Sequence, residues 1–189
     1  CNAFTFNGRA NSCFLKSEIT RQEPYQGAVS GWIRRAEAGT AARAATRAAE
    51  MAFLDPADFD RALSQAEGLA ARHVTGTATA EELLDAAADA RRSGSTRSAM
   101  RLTGAAINLT DAADLWADYA DLALAIPTES SSDRRALAND AAAAAINATL
   151  RTDSPAIRAT ALATLARAFE ITNRGRDMIP ALRLAQTLQ

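Results

Sequence analysis

The chain has one histidine, His73, and one lysine, Lys16, among 189 residues. A single histidine excludes multi-histidine metal sites and the H-E-x-x-H zinc helix. Two cysteines, Cys1 and Cys13, lack metal-ligand spacing, and no second cysteine pair stands elsewhere to complete a zinc site. Nine glycines form neither G-x-G-x-x-G nor a P-loop, which leaves no phosphate cradle and no cofactor motif. No run of 18 uncharged apolar residues exists, so no transmembrane helix is expected. The longest alanine stretch, Ala141 to Ala145, is flanked by Asp140 and Asn147. Net charge is −1 and no like-charge run exceeds three residues, which argues against a nucleic-acid partner. There is no initiator methionine, and Cys1 to Phe14 has neither the charged nor the apolar region of a signal peptide.

What the chain has in abundance is alanine: 48 residues, about a quarter of the sequence, against five prolines. A chain so rich in the best helix former and so poor in breakers is mostly helix. Arginine outnumbers lysine 20 to one, a ratio that helix propensity does not explain and that reads as a GC-rich, bacterial coding sequence. The end at Thr187-Leu188-Gln189 falls inside an amphipathic pattern. The chain is therefore expected to be an internal fragment of a longer protein, with a lipoprotein acylated at Cys1 as the competing reading.

Two parts with different patterns are expected, 1–33 and 34–189. Ala3-Phe4-Thr5-Phe6 alternates with period two and runs into the turn signal Asn7-Gly8. Cys13-Phe14-Leu15-Lys16 and Ala28-Val29-Ser30-Gly31-Trp32-Ile33 read as further short strands. From Arg34 onward seven or eight helices are expected. Starts are marked by Asp55-Pro56, by Ser154-Pro155 and by the capping box Thr79 to Glu82. Stops are expected at Gly76, Gly94 and Gly175. Leu115, Tyr119, Leu122 and Ile126, joined by Trp116 and Ala123, fall on one helical face, and Leu162, Leu165 and Phe169 make a second stripe.

Gly39, Ala44, Leu54 and Pro56 have the same spacing as Gly94, Ala99, Leu109 and Asp111. The pattern joins a tight turn, a small residue where helices touch, an apolar anchor and a helix stop. It resembles the second half of a tetratricopeptide repeat. The offset of 55 is not a multiple of the 34-residue period, so an irregular stack of helical hairpins is expected. The fold class is thus mainly α, a tetratricopeptide-like helical region preceded by a small β-hairpin.

Cys1-Asn2-Ala3-Phe4-Thr5-Phe6-Asn7 followed by Cys13-Phe14-Leu15-Lys16-Ser17 resembles the C-terminal half of a PAN/apple domain, and Tyr25 to Gly31 resembles its closing strand. Members of that family pin a helix to the sheet with disulfides, which implies partners for Cys1 and Cys13 upstream of this chain. A local Cys1–Cys13 bridge and two free thiols are the alternatives. The pairing with an alanine-rich helical region resembles the N-terminal part of bacterial alpha-2-macroglobulin-like proteins. The similarity extends through Phe53-Leu54 to Asp58-Phe59, Ala113 to Ala117 and Gly175 to Leu182. The resemblance implies an extracytoplasmic protease inhibitor, with partners among other domains of the same polypeptide and an envelope protein or protease met through it. The chain itself holds no macroglobulin strands, bait segment or C-G-E-Q thioester motif, so its expected role is non-catalytic binding or support. A free-standing helical scaffold for proteins or peptides is the alternative.

A Ser-His-Asp or Cys-His site would have to use His73, which sits beside Arg72 near a helix end, where imidazole suits the C-terminal dipole. Glu81, Glu82, Asp85 and Asp89, with Arg91 and Arg92 beyond, read as a solvated helix face rather than paired catalytic carboxylates. Asn108-Leu109-Thr110 and Asn147-Ala148-Thr149 match glycosylation sequons at helix ends. Trp116 and Tyr119 are the candidate protein-binding aromatics, as in the grooves of helical-repeat scaffolds, but at their spacing core packing is the favoured role.

Overall fold

A computed structural model describes residues 3–17, 26–32, 40–73 and 75–189. The chain divides into two compact units, Cys1–Thr40 and Ala41–Gln189. The expected boundary between Ile33 and Arg34 falls in 33–39, outside the described residues.

The first unit is an antiparallel sheet of three strands, β1 (Ala3–Asn7), β2 (Ser12–Lys16) and β3 (Ala28–Trp32), in the order β2-β1-β3. Asn7 closes the hairpin by accepting from the backbone N–H of Arg9 at 3.0 Å and of Ala10 at 3.3 Å, the local bonding that makes asparagine a turn residue. Glycine is needed next to it: the Gly8 N–H donates to the Gly27 carbonyl at 2.7 Å, and a Cβ on Gly8 would stand 3.1 Å from that oxygen. In register, Phe4 faces Leu15 and Phe6 faces Cys13. Because residues alternate across a strand and paired residues share a face, Phe4, Phe6, Cys13 and Leu15 lie together on one side.

The second unit contains eight helices among the described residues, α1 (Thr40–Glu50), α2 (Pro56–Ala71), α3 (Ala80–Arg92), α4 (Thr96–Thr110), α5 (Ala113–Ala125), α6 (Ser131–Arg151), α7 (Pro155–Ile171) and α8 (Gly175–Gln186). Their starts follow the capping signals. The Thr79 hydroxyl accepts from the Glu82 N–H while the Glu82 carboxylate accepts from the Thr79 N–H at 2.8 Å, satisfying two orphan donors at once. Asp55 caps α2 and Ser154 caps α7, each with proline next, where no N–H is missed.

Helix ends correct one expectation. Gly76 and Gly94 do adopt left-handed backbone (φ +59° and +75°). Gly175 does not stop α7: Asn173 takes the left-handed position (φ 59°), and Gly175 opens α8. Asparagine tolerates that region through its short polar side chain, so the stop came two residues before the glycine.

Helices α3 through α7 each pack on their successors, α5 also packs on α7, and α2 lies on α6 and α4. Helix α6 sits among α2, α5 and α7, and its Ala138, Ala141, Ala143, Ala144, Ala145 and Ala148 are fully buried. Methyl side chains there allow close backbone approach, while larger groups on the neighbours supply the apolar burial. Leu162, Leu165 and Phe169 of α7 are completely enclosed, each contributing about 1.5–3 kcal/mol. The repeat pattern holds only in part. Ala99 is buried where helices touch and Leu54 is a buried anchor, but Leu109 is 37% exposed. Leu109 sits in the last turn of α4, where Ile107 rather than Leu109 is the buried apolar residue.

An ion-pair ladder ties α1 to the α6–α7 corner. Asp153 accepts from Arg43 Nε and Arg47 Nη2, both at 2.8 Å, and Glu50 bridges Arg47 and the buried Arg158. Arg47 Nε and Arg158 Nε are buried without a hydrogen-bond partner.

Candidate functional site

His73, just beyond the end of α2, is held by two other helices, α4 and α5. Its carbonyl accepts from Asn108 Nδ2 of α4 at 2.7 Å, and its Nε2 lies 3.3 Å from the Tyr119 hydroxyl of α5. The imidazole lies over Gly104 of α4, where a Cβ would stand 2.1 Å from Cδ2. From α6, Asp140 accepts from Gln65 Nε2 at 2.7 Å and from Arg72 at 3.4 Å. Burial, then the charges of Arg101 and Arg72, lower the His73 pKa from 6.5, against an opposing pull from Asp140. The imidazole is therefore neutral at pH 7. The Tyr119 phenol is pushed up to about 12, first by burial and then by Asp140.

Beside this seam opens a cleft of about 400 Å³ lined by Arg72, His73, Leu83, Ser98, Arg101, Leu102 and Ala105. Ser98, Arg101, Leu102 and Ala105 follow the i, i+3, i+4, i+7 spacing of one α4 face. Leu83 of α3 adds a buried apolar wall. Such a cavity, part apolar and part cationic, has the size and lining of a small-ligand site. The lining offers a ligand two guanidinium groups, the Ser98 hydroxyl and an aliphatic wall. The expected helix-end position of His73 is as placed. Gly104, Arg101 and Asp140 were missed, and an isolated glycine inside a helical pattern was the available signal, since it often marks close packing.

Trp116 and Tyr119 take the core position that their spacing favoured over a groove. Both side chains are buried, at 3% and 2% exposure. The Trp116 indole N–H donates to Asp111 Oδ1 at 2.8 Å, Arg151 Nε donates to the same oxygen at 2.9 Å, and the Arg151 guanidinium lies 5.4 Å from the ring centroid. The physical reason is their spacing: both fall on the same face of α5 as buried Leu115 and Leu122, the face turned to the core.

Cys13 is exposed and free, while Cys1 lies outside the described residues. Neither sequon asparagine is open: Asn108 is engaged with His73, and Asn147 is buried and donates to the Ala143 carbonyl at 3.0 Å. Glu81, Glu82, Asp85 and Asp89 are exposed, with Glu82 engaged in its capping box and Asp89 paired with Arg92. No metal-holding group of three or more ligand side chains occurs among the described residues, and no helix there is long and apolar enough to cross a membrane. A groove of about 710 Å³ runs along α7, lined chiefly by Ala156, Ala159, Thr160, Ala163 and Arg167.

No family model matches the chain, and no curated protein or solved structure is significantly similar to it.

Proposed function

We propose that this chain is a non-catalytic binding and support segment of an extracytoplasmic alpha-2-macroglobulin-like protease inhibitor, whose inhibitory regions lie in other parts of the polypeptide. The observation that carries the reading is the sheet. The strand that follows Cys1 is central, the hairpin strand bearing Cys13 flanks it on one side, and the closing segment flanks it on the other. That arrangement is compatible with the PAN/apple resemblance of residues 1–17 and 25–31. Phe6 and Leu15 remain 38% and 63% exposed on the face that carries Cys13, as a sheet does when the helix that covers it belongs to another segment.

A second reading, a free-standing scaffold for proteins or peptides, is favoured by the groove along α7, an extended surface of the kind that stacked helical hairpins use for partners.

The test is thiol labelling of the natural polypeptide after cell fractionation. Because Cys13 is exposed here, a reduced Cys13 would label at once. The inhibitor reading expects an extracytoplasmic protein whose Cys13 is blocked until reductant is added. A cytoplasmic protein with a freely labelled Cys13 sinks it and leaves the scaffold reading.

A further inference from the structure

The cleft beside His73 combines two cationic side chains with an aliphatic lining. Arg101 is exposed and makes no ion pair with any described residue, and Arg72, 60% exposed, reaches Asp140 only at 3.4 Å. Leu83, Leu102, Ala105 and Ser98 line the same cleft. Two guanidinium groups offer charge-assisted donors suited to a carboxylate. The aliphatic wall offers burial worth about 0.8 kcal/mol per methylene. From this juxtaposition we infer that the cleft binds an aliphatic carboxylate, its head on Arg72 and Arg101 and its alkyl body against Leu83, Leu102 and Ala105. Both guanidinium groups lie close enough to His73 to act on its imidazole, whose pKa is lowered first by burial and then by Arg101 and Arg72. The ligand chemistry is shared by a free short-chain acid and by the end of a peptide with an aliphatic last residue. The inference is independent of the inhibitor reading, since it concerns the helical unit alone.

His73 is the chain's one histidine, so its ring signals in nuclear magnetic resonance are an unambiguous reporter. The whole chain is titrated with hexanoate, N-acetyl-leucine, hexanamide and inorganic phosphate. Hexanoate is expected to give a saturable shift in the millimolar range and to raise the His73 pKa, because a bound anion offsets the two arginines. Hexanamide, which lacks the charge, should bind at least about tenfold more weakly, and Arg101→Gln should weaken hexanoate by about tenfold. Arg101 is exposed, so the variant's helical circular dichroism should match the parent's. Tighter binding of N-acetyl-leucine than of hexanoate assigns the site to peptide ends, and the reverse order assigns it to free acids. Equal binding of hexanoate and hexanamide, equal binding of hexanoate and phosphate, or the absence of any saturable shift overturns the proposal.

Discussion

Gly104 lies directly beneath the His73 imidazole: a Cβ there would stand 2.1 Å from Cδ2, 2.8 Å from Nε2 and 2.9 Å from Cγ. Three atoms of a ring clash together, so no small rotation relieves the overlap. The ring would have to leave, taking with it the contact to the Tyr119 hydroxyl.

That relationship sets two opposing effects for Gly104→Ala. Alanine in a helix interior gains about 1 kcal/mol over glycine. Expelling His73 forfeits a hydrogen bond and strands a buried phenol hydroxyl, a cost of about 1–3 kcal/mol for the stranded group alone. The expected outcome is a net loss of about 1–2 kcal/mol in denaturant unfolding. Gly68→Ala in α2 is the control. Nothing lies within 4 Å of its Cβ position, so it should gain about 0.5–1 kcal/mol.

Trp116→Ala should cost about 3–5 kcal/mol, the range for deleting a buried aromatic. Trp116→Phe keeps most of the volume but removes the indole N–H that donates to Asp111. It should therefore lose less than the alanine variant. Chemical denaturation measures both. An unchanged melting temperature for Trp116→Ala would place the ring at a surface.

Protonation of His73 should destabilise the helical unit. Its folded pKa lies below 6.5, so in the window between 6.5 and that lower value the unfolded chain takes up the proton first. Stability is then fully present above 6.5 and is lost as pH falls through the folded pKa, with no further loss from this group below it. Melting temperatures of the parent and of His73→Gln, compared from pH 8 to pH 5, isolate the effect. The difference between the two curves should change across that window and be flat above it.

Local signals in the sequence were the legible ones. Thr79 with Glu82, Asp55-Pro56 and Ser154-Pro155 place helix starts because a cap involves residues at most three apart. The stripe of Leu115, Tyr119 and Leu122 was legible because a 3.6-residue period is visible along one element. His73 and Tyr119 are 46 residues apart, and nothing local announces that they meet over Gly104 or that Arg72 and Arg101 share a cleft. Leu109 shows the converse limit: an apolar residue in a repeat-like position stays 37% exposed while Ile107, in the same turn of α4, is buried. Asn173 rather than Gly175 ends α7 because either residue tolerates the left-handed position, and spacing does not choose between them.

The ladder that holds α1 gives a test of buried charge. Glu50→Gln leaves Arg158, 6% exposed, without its carboxylate. Removing one partner of a buried pair costs about 3–5 kcal/mol, and the value here should fall toward the lower end because Glu50 is itself 31% exposed. Asp153→Asn should cost measurably less, since Asp153 is 62% exposed and solvent screens its pairs. Equal losses from the two variants would show that the buried end of the ladder carries no extra weight.

The central claim is that this chain binds and supports while inhibition resides elsewhere in its polypeptide. The most direct measurement sets the purified chain and the whole natural polypeptide side by side against a broad-specificity endopeptidase, with a protein substrate. The account expects the whole polypeptide to suppress cleavage, and this chain at equal concentration to leave it unchanged and to cleave nothing itself. Suppression of cleavage by the chain alone, or an inert whole polypeptide, would contradict it.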